Sequence, residues 1–287
     1  MKKTLHITSG DMAGDLISKT GIPGDVFVWH DVLYDGPREP GWPDSTTLRA
    51  RSRFLETLTG GGLGKASILK TLELQYQKLA AADDAHIVLW FDACLFDQSM
   101  LAHILTCMRH RGIDDAELLC IDAFPGIAPY NGIGQLRPSQ LASVYDRRQQ
   151  VTDSQFRFAG VVDQAFADQD MPLFKQLSRR PNAPLPWVPA AIDRWLQERP
   201  DPVTGLGKLA SLALEAIRAG HETPAEIFKT AAAAETPPQY WGDITLWAKI
   251  NAMADGNPPL VRIEGPTQRL PQWEGVADMR KFRITIR

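Results

Sequence analysis

Four apolar segments of this chain each close on an aspartate. "LHITSGD" ends on Asp11, "DVFVWHD" on Asp31, "AHIVLWFD" on Asp92 and "AELLCID" on Asp122. Read as parallel strands of one sheet, they set their C-terminal ends along a single edge, where open α/β sheets bind ligands. Carboxylates gathered there could hold a divalent cation through oxygen. They could also move protons, if burial raises a pKa. The competing reading is that they close Asx-turns.

The first turn holds Gly10 and Gly14 but has neither the G-x-G-x-x-G of a dinucleotide fold nor a Walker A loop. Asp11 reads in two ways there. It caps the following helix, or with Ser9 it bonds sugar hydroxyls or an amino group. "WHDVLYDGP" supplies His30, a general-base candidate, beside Asp31. Neighbours on a strand point to opposite faces, so these two are not expected to touch. His30, Asp31 and Asp92 are the catalytic candidates. Ser9, Gly10, Asp11, Asp97 and Gln98 are binding candidates, with Asp97 read as the cap of its helix. Arg49 and Arg53 of "TLRARSRF" share a helix face at i, i+4 and could clamp an anion. They could equally offset the aspartates or form a solvated face. Asn131 and Gln135 lie in the long Gly/Pro loop "FPGIAPYNGIGQLRPSQ", which either covers the pocket or simply connects. No metal or cofactor is specified by these residues.

The elements that position them follow from periodicity. The four strand candidates are nearly continuous in apolar residues, as buried parallel strands are. "DMAGDLISKTG", "STTLRARSRFLETLTG", "KASILKTLELQYQKLAAAD" and "DQSMLAHILTCMRHRG" read as helices between them. Alternation of this kind predicts an α/β fold, a Rossmann-like open parallel sheet of about four strands over residues 1–150. Residues 151–200 read as a helical connector punctuated by prolines. Residues 201–287 read as three helices and two short strands, the order of a winged helix, with Thr223 capping the second helix and Pro224 at its first position.

Several motifs together resemble an uncharacterised bacterial family, catalogued as domain of unknown function 1835. They are "LHITSGD", "VWHDVLYDGP", "LWFDACLFDQSMLAHIL", "GIGQLRPSQLASVYDRR" and "YWGDITLWAKI", in that order and over most of the chain. The resemblance implies a Rossmann-like N-terminal domain and a winged-helix-like C-terminal part. It implies no reaction.

Composition narrows the function classes. The chain has 287 residues, 44% hydrophobic and 23% charged, with a net charge of −3. No global basic field draws it to nucleic acid or anionic lipid. Residues 201–287 carry ten Lys/Arg and ten Asp/Glu, so a DNA-reading role for the third helix is disfavoured; Lys249 is its one cation. Arg262, Arg269, Arg280 and Lys281 near the wing are a thin basis for phosphate contacts. No apolar run approaches a membrane span, and the start shows no secretory h-region. Cys94, Cys107 and Cys120 have no metal spacing and suit buried, reduced thiols in the cytoplasm. The expectation is a cytoplasmic protein that binds a small polar or phosphorylated ligand, with enzyme activity left open. The alternatives are a ligand-sensing regulator and an interaction module. The oligomeric state is open, a homo-oligomer included.

Overall fold

The computed structural model describes residues 2–273 and 278–287. Five strands form one sheet in the order β2-β1-β3-β4-β5. They are β1 (Thr4–Ser9), β2 (Asp25–Trp29), β3 (His86–Asp92), β4 (Ala116–Ile121) and β5 (Gln149–Gln150). The first four are parallel, with Ser9 level with Trp29 and Thr8 level with Trp90. β5 is an antiparallel edge strand. The sheet is therefore Rossmann-like and mostly parallel, as the alternating elements predict, with one short strand more. That strand is two exposed glutamines and carries no apolar pattern.

Helices α1 (Asp11–Ser18), α2 (Ser45–Leu58), α3 (Lys65–Ala80), α4 (Leu95–His110) and α5 (Pro138–Val144) link the strands. Val88 and Trp90 of β3 pack with Ala13, Ile17, Leu141 and Val144, so α1 and α5 cover one face. Ile87, Leu89 and Phe91 point the other way and are fully buried. α4 is buried around almost its whole circumference, which requires cover on both sides. That cover is β3 on one side and α6 (Asp153–Asp168) on the other. α7 (Met171–Ser178) and α8 (Val188–Leu196) follow.

The chain separates into two compact units. The first comprises residues 2–54, 66–194 and 237–239 among those described; the second comprises 55–65, 195–236 and the described part of 240–287. The helical segment after residue 150 is thus not a separate connector. Up to Arg194 it belongs to the first unit, because α6 is what buries α4.

The second unit holds α9 (Lys208–Arg218), α10 (Pro224–Ala234) and α11 (Asp243–Asp255), then an antiparallel pair, β6 (Val261–Glu264) and β7 (Arg283–Ile286). Its core joins Leu214 and Ile217 of α9, Ile227 of α10, Trp247 and Ile250 of α11, and Val261 and Ile284 of the strands. Thr223 caps α10 in a capping box with Glu226, behind Pro224.

Candidate ligand site at the sheet edge

β1 is the switch point of this sheet. The chain leaves it for β2 on one side and returns as β3 on the other, and the C-terminal ends of strands at such a point are where open α/β sheets bind ligands. Ser9, Asp92 and Asp97 meet there. Ser9 Oγ donates to Asp97 Oδ1 at 2.5 Å, and the Asp92 backbone N–H donates to Asp97 Oδ2 at 2.5 Å. Asp92 Oδ1 accepts from Tyr130 Oη at 2.7 Å, and its Oδ2 from the Ile133 N–H at 2.8 Å. Gln98 Nε2 donates to the main-chain oxygen of Asp92 at 2.7 Å and lies 3.4 Å from Cys120 Sγ.

These contacts depend on how the loop after β4 approaches. Gly132 has φ +128°, and a Cβ there would stand 2.6 Å from Asp92 Oδ2, so only glycine lets the backbone come this close. Tyr130, Ile133 and Leu136 anchor the loop in the α1–α5 apolar cluster. Burial and the neighbouring Asp97 push the Asp92 carboxyl up, to about 8, against the opposing effect of Ile133 and Tyr130. Burial likewise pushes Asp97 up, against its bonds from Ser9 and Asp92. Because the Asp97 charge acts on Asp92, the two titrate as a pair.

A second pair lies at the β1–β2 ends. His30 Nε2 and Asp11 Oδ1 are 2.8 Å apart and both side chains are exposed. With Nε2–H donating to the carboxylate, Nδ1 keeps its lone pair for a substrate proton. Gln75 Oε1 accepts the His30 backbone N–H at 2.6 Å and so holds this strand end.

The other sequence candidates go elsewhere. Asp31 is committed to an ion pair: its buried carboxylate accepts from Arg51 Nε and Nη2 at 2.6–2.8 Å, and Arg51 also donates to the carbonyls of Val32, Asp35 and Pro37. Asp11 is not the cap of α1. Gly10 takes that position with φ +72°, and Asp11 is the first helical residue, facing His30. Asp97 is not the cap of α4 either. Cys94 is, while the Leu95 N–H is met by Gln239 Oε1 at 3.0 Å. Asp122 accepts from Trp187 Nε1 at 3.0 Å. Arg49 is exposed on α2 beside the Ser45 and Thr46 hydroxyls. Arg53 is exposed on the same helix, and no hydrogen bond joins either arginine to the carboxyl pair. Gln135 closes the loop on itself, accepting from the Asn131 N–H at 2.5 Å, whereas Tyr130, Gly132 and Ile133 are the loop residues that reach Asp92. The "NGIG" glycines were the sequence signal for that approach.

A separate buried network fills the space between α3, α4 and α6. Asp163 is ion-paired with Arg38, receives the Gly41 N–H at 2.6 Å, and lies 3.0 Å from His103 Nδ1. His103 Nε2 is 2.7 Å from Tyr76 Oη. Burial, then Arg38, holds the His103 imidazole neutral, well below its usual range. Among the described residues, no group of three or more His, Cys, Asp or Glu is placed to hold a metal ion, and no helix is long and apolar enough to cross a membrane.

Fold and edge together define a Rossmann-like α/β protein with polar side chains gathered at the sheet's switch point. No family model matches the chain, and no curated protein matches it.

Proposed function

We propose that the first unit binds a small polar molecule at this edge and transfers protons on it. The observation that carries the reading is the Asp92–Asp97 pair at the switch point, held by Ser9, Tyr130 and Ile133. A carboxyl that keeps its proton near neutral pH is a general acid. His30, set by Asp11, is the base in this scheme. Asp31 leaves the catalytic set and acts through Arg51 as a support for the strand end. The phosphorylated-ligand version loses its main support, since the Arg49/Arg53 clamp is not among the contacts of the site. On its motifs we place the chain with the uncharacterised family named above, and on its three unbridged thiols in the cytoplasm.

A thermal-shift screen with sugars, amines, nucleosides and phosphorylated metabolites tests this. Asp11→Ala and His30→Ala alter exposed side chains and leave the core intact, so they separate binding from folding. A stabilising compound whose effect shrinks in both variants is the expected result. If no compound stabilises the protein, or both variants respond as the wild type does, the reading fails.

A second reading, a ligand-sensing regulator or interaction module, rests on the order of the second unit, three helices and a strand pair like a winged helix. Charge weighs against DNA as its partner. Lys249 faces Glu198, Arg262 faces Glu264, Arg269 is paired with Asp255 and Arg280 with Asp278.

A further inference from the structure

Among the described residues of the first unit, three carboxyl sites are enclosed, and their counter-ions differ. Asp31 is paired with Arg51, and Asp163 with Arg38. Such pairing is what a buried carboxylate needs. Asp92 and Asp97 lack it: among the described residues, no Lys, Arg or His is bonded to either carboxyl or to Ser9 or Gln98. Asp97 does sit in the first turn of α4, where the helix N-terminus supplies about half a positive charge. That leaves the pair short of compensation whenever both groups ionise.

A second observation points to the missing group. Gln98 is 1% exposed, and its Oε1 has no hydrogen-bond donor. The amide cannot be flipped to cure this, because the main-chain oxygen of Asp92 accepts from Nε2 and is an acceptor only. The orphaned carbonyl is therefore held at the same strand end as the carboxyl pair. A buried acceptor left without a donor is costly. The carboxyl pair and Gln98 Oε1 are both acceptors, and neither has a cationic partner among the described residues.

We propose that the ligand of this site presents a primary ammonium group, which donates to Gln98 Oε1 and to the Asp92–Asp97 pair. This rests on the polar-ligand reading above and names the chemistry of its recognised group. The ammonium sets its charge against the ionised member of the pair while the Asp92 carboxyl keeps its proton, and no bond is made or broken.

Matched probes separate the amine from the rest of the molecule. Glucosamine and ethanolamine are compared with N-acetylglucosamine, N-acetylethanolamine, glucose, inorganic phosphate and magnesium chloride, by thermal shift and by calorimetry. The expected result is a concentration-dependent rise in Tm and a binding heat with the free amines alone. Asp97→Asn abolishes the response. Gln98→Met, which keeps the buried volume, weakens it and provides the readout if Asp97→Asn does not fold. Stabilisation by glucose, phosphate or magnesium in place of the amines, lost in Asp11→Ala and His30→Ala, overturns the ammonium assignment and leaves the polar-ligand site standing. An undiminished amine response in Gln98→Met overturns it as well. No response to any probe or to the wider screen removes both.

Discussion

Arg49, Arg51 and Arg53 follow one another along α2, yet only Arg51 is enclosed. The reason is readable in the spacing. Leu48, Arg51, Ser52 and Leu55 are the buried positions, an i, i+3, i+4, i+7 stripe, so the arginine on the apolar stripe is the one that must meet a buried acid. Pairing Arg49 with Arg53 by i, i+4 proximity selected the wet face. Arg51→Met should cost about 3–5 kcal/mol, because Asp31 is then left unpaired in the interior. Arg49→Ala should stay within about 0.5 kcal/mol; urea unfolding of both variants measures the contrast. Gly132→Ala should cost about 1–3 kcal/mol, since its φ of +128° and the 2.6 Å approach to Asp92 both resist a Cβ. The carboxyl pair also sets a pH dependence. Asp92 and Asp97 titrate higher in the folded protein than in the unfolded chain, so the folded state binds more protons from about pH 4 to about pH 8. Stability contributed by the pair is complete below that window and falls through it, by about 1.4 kcal/mol per pH unit for each extra proton held. Asp97→Asn should flatten this decline between pH 5 and 8. Parallel curves for variant and wild type would show that the pair does not share protons.

At the scale of elements, strands and helices with a strong period lie where the pattern puts them. β1 to β4 coincide with the four apolar runs, and the C-terminal helices and strands fall within their predicted segments. What escaped was whatever is held by a distant partner. β5 is two polar residues recruited by β4. α6 is amphipathic like many helices, but its Asp163 was not legible as the acid that ties down the 31–44 loop through Arg38 and Gly41. Those partners are 125 and 122 residues away, beyond any local signal. Asp163→Ala should destabilise by about 3–5 kcal/mol, the cost of leaving Arg38 buried alone. Hydrogen exchange should rise first at Gly41, whose N–H loses its acceptor.

At the scale of the molecule, the two units do not follow linear boundaries. Residues 55–65 belong with the C-terminal unit. Gln272 Nε2 donates to the Leu58 carbonyl at 2.8 Å, and Gly62 lies under Trp273, whose Cβ would be 2.5 Å from a Cβ at that glycine. A fragment of residues 195–287 should therefore melt less cooperatively than the same unit in the full chain. Adding a peptide of residues 55–65 in trans should raise its Tm, as followed by circular dichroism. An unchanged melt would mean that the C-terminal unit is self-sufficient. The overall charge of −3, together with the ion-paired cations of that unit, predicts no retention on DNA at physiological salt.

The sequence by itself determined the α/β class, the strand ends and the gathering of polar residues at one sheet edge. These follow from short-range periodicity and from the geometry of parallel strands. Only the tertiary structure decided which aspartates keep a counter-ion. Asp31 and Asp163 received arginines, Asp122 a tryptophan N–H, and Asp11 a histidine, while Asp92 and Asp97 received hydroxyl and backbone N–H donors. That choice depends on long-range contacts that set burial and charge, and those terms control the protonation of a carboxyl.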